Sequence, residues 1–341
     1  MSLEKIGSVQ AHAERVWDLS THSGIPLLAS CSSDKTCKLF DISNGIKEVS
    51  KLDEETHSKS IRSVQFKYSK DNTYPTLALG SFDSTSSIWG ADDFKSKWEL
   101  LAVVEGHENE VKCVDWSIDG KFLSTCARDK SIWIWETDEL NEEFECVAVL
   151  SEHEGDVKFV NWNDKGLNDD HTFISGSYDD TLRVWRQDSY DEDEWNCVAN
   201  LSMDSTVWSA TWINNNTILC GLDDGRVIQC IRKVDNNEDG IETDRDNLPS
   251  TVKDVEDWII DKVWSKHEGS VYSVSCKDDT VVSGGSDGVI RVYNLNGDIL
   301  AEKRLAHGTS EVNVVAVVKT GVVASGGDDG VVALWKVYSV V

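Results

Sequence analysis

The sequence predicts an all-β protein, a closed ring of seven short-stranded units made from one pattern repeated along 341 residues. Three observations carry this. A histidine, followed about four residues later by V-x-x-V or a close variant, opens every copy but one. A small-residue run ending in an aspartate turn follows, and a short apolar strand, often closed by tryptophan, completes the copy. Apolar and polar residues alternate through these segments, as half-buried strands require.

The copies run in order. The first, roughly residues 12–41, opens with HAERVWDL and turns at Asp34. The second (57–90) opens with HSKSIRSVQF and turns at Asp83, and the third (107–136) with HENEVKCVDW and Asp129. The fourth (153–186) has HEGDVKFVNW and Asp179. The fifth (204–231) lacks its histidine but keeps STVWSATW and Asp224, and carries the longest insertion, 233–256. The sixth (267–294) has HEGSVYSVSC and Asp287, and the seventh (307–336) HGTSEVNVV and Asp329. Asp-Gly in the last three copies, and Asp-Lys or Asp-Asp before Ser or Thr in the first, third and fourth, are tight hairpin turns. Trp89, Trp135, Trp185 and Trp335 close four copies, while Phe40, Cys230 and Tyr293 replace tryptophan in the first, fifth and sixth. Residues 3–9 alternate in polarity before the first histidine, and the last copy stops after its third strand. Residues 3–9 are therefore expected to form the outer strand of the last unit, which closes the ring and removes a free edge.

Composition narrows the function. A net charge of −28 argues against general nucleic-acid binding and anionic membranes. No apolar run approaches bilayer length, and MSLEKIGSV lacks the form of a secretory signal. The nine cysteines include no CxxC pair and fall mostly in strand-like runs, Cys126 among them, so they are expected to be small buried hydrophobes of a reducing compartment, cytosol or nucleus. No P-loop, GxSxG, HExxH or zinc-spaced cysteine set occurs, and SGGSDG and SGGDDG end in turns and open no helix. A His–Asp pair repeated around a ring is a scaffold and not a catalytic dyad. The expectation is a non-enzyme without metal or cofactor. His22 and His171 fall outside the pattern, in loops.

With these marks the chain resembles the WD40 family over nearly its full length, which implies a seven-bladed β-propeller. The resemblance also implies that histidine, strand serine, turn aspartate and tryptophan form a hydrogen-bonded chain within each blade. Phe40 and Cys230 cannot donate as indole does, so blades 1 and 5 are expected to be less rigidly tied. In such propellers the histidine loop and the aspartate turn share one face, the top. There, the residue before the aspartate and the two flanking the first valine-like residue are free of packing duty, so function can be written in them. Arg15, Arg62, Lys112, Arg128 and Lys158 occupy such positions on blades 1 to 4, among Trp17, Phe82, Tyr178, Trp208 and Tyr272, expected to be exposed. Arginine with aromatic residues is the composition of interaction hot spots, and these ten form the candidate partner-binding surface. Glu110 and Asp156 stand two residues from Lys112 and Lys158, close enough to neutralise them, and either tryptophan could instead plug the channel mouth. The acidic runs 136–145, 188–194 and 235–246 follow third strands and so fall on the opposite face.

Several stretches also resemble the WD40 subunit of the cytosolic iron–sulfur protein assembly targeting complex. The most specific is EGHENEVKCVDWSIDGKFLSTCARDKSIWIWETDE, residues 105–139. LDEETHSKSIRSVQF (52–66), SEHEGDVKFVNW (151–162) and GSYDDTLRVW (176–185) add to it. The resemblance implies a cytoplasmic and nuclear scaffold, monomeric on its own and holding no cluster. Its implied partners are the small acidic and helical-repeat subunits of that complex, an iron-only-hydrogenase-like carrier and client apoproteins. Arg128 matches an exposed top-face arginine of that family. A WD40 adaptor of another complex, either a ubiquitin-ligase substrate receptor or a chromatin reader, is the alternative. A propeller hydrolase is disfavoured by the missing nucleophile and metal sets.

Overall fold

The computed structural model describes residues 1–52, 55–68, 75–92, 97–165, 171–188, 191, 194–233 and 255–338. Most of the 233–256 insertion, the run 235–246 and part of 188–194 lie outside the described residues. The strands form seven four-stranded sheets, each strand antiparallel to its neighbours. Blade 1 is Val16–Thr21, Leu27–Ser32, Cys37–Asp41 and Lys47–Lys51, counted from the channel outward. The other inner strands are Ile61–Phe66, Val111–Trp116, Val157–Trp162, Val207–Asn214, Val271–Lys277 and Val312–Lys319. Each touches the next, and the last touches the first, so the seven sheets close into a β-propeller.

The closure is the one read from the sequence. Ser2–Gln10 pairs antiparallel with Val331–Tyr338, from Ser2 opposite Tyr338 to Gln10 opposite Val331. The turn at its inner end uses Gly330, whose φ of 72° suits glycine. A Cβ there would stand 2.4 Å from the His12 carbonyl oxygen. The Gly330 carbonyl accepts the Ala11 and His12 N–H groups, which ties the first blade to the last.

The core lies between blades. Leu27, Ala29 and Cys31 of blade 1 pack on Ile61, Val64 and Phe66 of blade 2, and the same layering recurs round the ring. Short middle strands such as Leu27–Ser32 and Phe122–Ala127 are buried at every residue, so both faces of a sheet meet a neighbour.

Within blade 4 the repeated polar residues form one chain. The Trp185 indole donates to Ser175 Oγ at 2.8 Å, the Ser175 hydroxyl meets His153 Nε2 at 2.7 Å, and His153 Nδ1 meets Asp179 at 2.8 Å. Burial would raise the Asp179 pKa, but hydrogen bonds from Thr181 and His153 outweigh it and hold the carboxyl at about 2. Six histidines make this contact, in blades 1 to 4, 6 and 7. Blade 6 keeps a donor, because the Tyr293 hydroxyl lies 2.9 Å from Ser283 Oγ. In blade 1, Phe40 fills the tryptophan position, yet His12 still meets Ser30 at 2.7 Å.

Blade 5 keeps the turn aspartate and has exchanged the other three members of the chain. Met203, Cys220 and Cys230 stand at the histidine, serine and tryptophan positions, all buried. Asp224, left without a histidine, takes the Arg226 guanidinium at 2.5 Å. Replacing the three buried partners together with apolar groups leaves no buried donor orphaned, which is why the joint exchange is tolerated.

Candidate functional site

Seven identical irregularities build the candidate site. In each inner strand the register slips after the first valine-like residue: Val16/Asp18, Ile61/Ser63, Val111/Cys113, Val157/Phe159, Val207/Ser209, Val271/Ser273 and Val312/Val314. The residue passed over is Trp17, Arg62, Lys112, Lys158, Trp208, Tyr272 or Asn313. Each is the extra residue of a β-bulge, and a bulge re-aims its side chain. All seven line the mouth of the central channel, a cavity of about 230 Å³.

A second frame fixes the outer positions. The residue before each turn aspartate donates its N–H to the carbonyl of the residue before the valine, at 2.9–3.3 Å in all seven blades. Arg128 donates in this way to Glu110, Phe82 to Ser60 and Tyr178 to Asp156. The backbone is fixed and the side chain is free to differ, so arginine, phenylalanine and tyrosine share one position.

Nine of the ten predicted residues meet at the mouth: Arg15, Trp17, Arg62, Phe82, Lys112, Lys158, Tyr178, Trp208 and Tyr272. They pair cation to ring. Trp17 lies between the Arg15 and Arg62 guanidinium groups, at 5.1 and 4.8 Å. Lys112 Nζ stands 4.2 Å from the Phe82 centroid, and Lys158 Nζ stands 3.0 Å from that of Tyr178 and 5.3 Å from Trp208. Tyr178, Trp208 and Tyr272 follow edge to face at 5.5 and 5.3 Å, and the Trp208 indole donates to Asp223 at 2.8 Å. Arg128 stands outside this cavity on the rim, its side chain 57% exposed and 3.7 Å from Glu110.

The exposure expected of the five aromatics needs correction. The Lys158 side chain is only 8% exposed, and Trp17, Phe82, Trp208 and Tyr272 are half-buried; of the five aromatics only Tyr178 is exposed. At Trp17, Lys158, Trp208 and Tyr272 the bulge turns the side chain into the mouth and not up from the face. Burial pushes the Lys158 pKa down to about 7, with Asp156 opposing and Lys112 and Arg62 adding to the fall. The neutralising partners were legible: Glu110 holds Lys112 at 2.5 Å and Asp156 lies 3.6 Å from Lys158.

Below the mouth the channel wall carries a polar belt that sequence reasoning missed. Asp18 accepts the Ser63 hydroxyl and the Val64 N–H, both at 3.0 Å, joining blades 1 and 2. Asp115 accepts Gln65 at 2.8 Å, Trp162 N–H at 2.8 Å and Asn161 at 3.1 Å, joining blades 2, 3 and 4. Burial raises Asp115 to about 7 against these donors. The signal was an aspartate two residues after the valine in VWDLS and one before tryptophan in VDW, inside strands that otherwise face the core. His22 and His171 do lie between strands. His22 accepts the Gly24 and Ile25 N–H groups, whereas His171 bridges Asp119 at 2.9 Å and Gln187 at 2.5 Å. Cys126 is fully buried in its strand, as expected.

The family model described as WD domain, G-beta repeat matches residues 3–41, 98–136, 144–186 and 260–294. Across the whole chain, the probable cytosolic iron-sulfur protein assembly protein 1 of Meyerozyma guilliermondii is 37% identical, over 96% of this chain and 98% of that protein. The Vanderwaltozyma polyspora protein of the same name is 39% identical, over 98% and 99%. The chain belongs to the cytosolic iron-sulfur protein assembly protein 1 family. A probable cytosolic Fe-S cluster assembly factor of Schizosaccharomyces japonicus is 37% identical over 98% of this chain but only 53% of its own length. Family membership and the propeller agree, since the matched span runs through all seven blades and the closing strand.

Proposed function

We propose that this chain is a non-catalytic adaptor of cytosolic iron–sulfur protein assembly whose top face docks protein partners. Its end-to-end similarity to proteins named for that assembly carries the reading. In it, Arg128 is the accessible contact, and the nine mouth residues form a half-buried aromatic and cationic floor behind it. The partners are the other targeting-complex subunits, an iron-only-hydrogenase-like carrier and client apoproteins, met in cytoplasm and nucleus. An arginine with aromatic neighbours suits acidic or aromatic-tailed partner surfaces.

The mouth geometry does not favour the chromatin-reader alternative. An aromatic cage that reads a methylated lysine needs an empty centre, and here Lys158 already fills the rings of Tyr178 and Trp208. Affinity purification with mass spectrometry tests the assignment. Iron–sulfur biogenesis proteins are expected to co-purify; cullin components or histones in their place would overturn it. Arg128→Glu is expected to weaken that capture and leave the melting temperature within about 1 °C, because its ion pair with Glu110 is long and exposed.

A further inference from the structure

Of the four cations lining the mouth, three face a carboxylate. Arg15 faces Asp328 at 3.7 Å, and Lys112 holds Glu110 at 2.5 Å. The one carboxylate lining the cavity, Glu311, is engaged by Tyr272. Two cations stand out, one whose pair is loose for so buried a group and one with no pair. Lys158 reaches Asp156 at 3.6 Å, a spacing like that of the Arg15 pair, but its side chain is nearly buried where that of Arg15 is half in water, so a loose pair compensates it less. Arg62 has no carboxylate in ion-pair range among the described residues. One of its N–H groups meets the Trp17 carbonyl at 3.3 Å, and the rest of the five-donor fork is unspent. Asp18 senses its charge from below, but that carboxylate is committed to Leu19, Ser63 and Val64.

Arg62 and Lys158 project from blades 2 and 4 into one cavity of about 230 Å³, with Lys112 of blade 3 between them. The Lys158 ammonium feels the positive charge of both neighbours. Like charges converging in a half-buried cavity are unfavourable unless an anion joins them. A monovalent carboxylate satisfies one guanidinium fork. Two cations on separate blades call for an anion with charge and oxygens to spare in more than one direction. The cavity admits a small ion more readily than a folded surface.

We infer that the channel mouth binds a small divalent oxyanion of the phosphate class, with Arg62 and Lys158 as its direct ligands. The site shares Arg62 and Lys158 with the docking floor but needs only the isolated chain, so it is tested without a partner. The net charge of −28 opposes anion approach, so binding is modest and weakens further with salt.

Isothermal titration of the purified full chain with inorganic phosphate, pyrophosphate and acetate tests this without any partner. Phosphate and pyrophosphate are expected to saturate one site, and acetate to bind at least about tenfold more weakly. Arg62→Gln and Lys158→Met are each expected to weaken phosphate about tenfold or more, the loss of one charge-assisted contact. Lys121→Gln, whose side chain pairs with Glu136 away from the mouth, should bind as the parent does. A phosphate-dependent rise in melting temperature, lost in Lys158→Met, gives a second readout should Arg62→Gln fold poorly. No saturation, equal weakening by Lys121→Gln, or acetate binding as tightly as phosphate would each overturn the inference. The docking reading fails separately, through loss of partner capture.

Discussion

Replacing Trp185 with phenylalanine isolates the polar chain that ties a blade. Trp185 is fully buried and its indole donates to Ser175 Oγ at 2.8 Å. The substitution removes that donor, but Ser175 keeps His153 at 2.7 Å, so no buried group is orphaned. The lost bond is then worth about 1 kcal/mol. Phenyl in place of indole also leaves a void and forfeits buried area, adding roughly 1–2 kcal/mol. The sum is about 2–3 kcal/mol. Unfolding entropy near ~2.1 cal/mol/K per residue gives ~0.7 kcal/mol/K for a chain of 341 residues. Melting temperature should therefore fall by about 3–4 °C, read by calorimetry. Blade 1 is the natural comparison, since Phe40 packs there without an indole while His12 keeps Ser30. A fall below about 1 °C would refute the view that the indole N–H stabilises the blade.

Other outcomes follow from the same geometry. Gly330→Ala should lower stability by more than the usual ~1 kcal/mol of a glycine in a left-handed turn, because its Cβ would meet the His12 carbonyl; denaturant titration reads this. Acid should unfold the protein steeply. The carboxyls of Asp34, Asp83, Asp129 and Asp179 are held low because hydrogen bonds from the turn and histidine outweigh burial, so their contribution is present above pH ~4 and is lost progressively as pH falls toward and below ~2. A circular-dichroism titration showing no loss between pH 4 and 2 would contradict this. Lys158→Met should leave the melting temperature unchanged or raise it near pH 7, because removing a nearly buried amine relieves desolvation; a large fall would mean that its contacts with Tyr178 and Asp156 outweigh burial.

The propeller was legible because its marks are redundant. Any one of His107, Asp129 or Trp135 could have been lost without hiding blade 3, and blade 5 was found although its histidine was gone. What stayed hidden was the direction of individual side chains. Lys158 and Arg62 occupy equivalent sequence positions, yet one is nearly buried and the other half-buried. The bulge that turns both inward is a pairing slip with no residue signature of its own, since tryptophan, arginine, lysine, tyrosine and asparagine all occupy it. The sulfur-lined interior of blade 5 shows the converse. Cys230 was recognisable as a tryptophan replacement, but Met203 and Cys220 became its companions only when the three positions were brought together in space. Asp18 and Asp115 went unnoticed because an aspartate inside an apolar strand gives no hint of which neighbouring blade supplies its donors.

Pairing Ser2 with Tyr338 means that residues at opposite ends of the polypeptide are edge partners in one sheet. During synthesis the leading strand has nowhere to dock until the final blade has left the ribosome. The early blades must wait as an open arc with an exposed rim, so the clasp is the last event of assembly, and its loss would convert a sealed wheel into a sticky crescent.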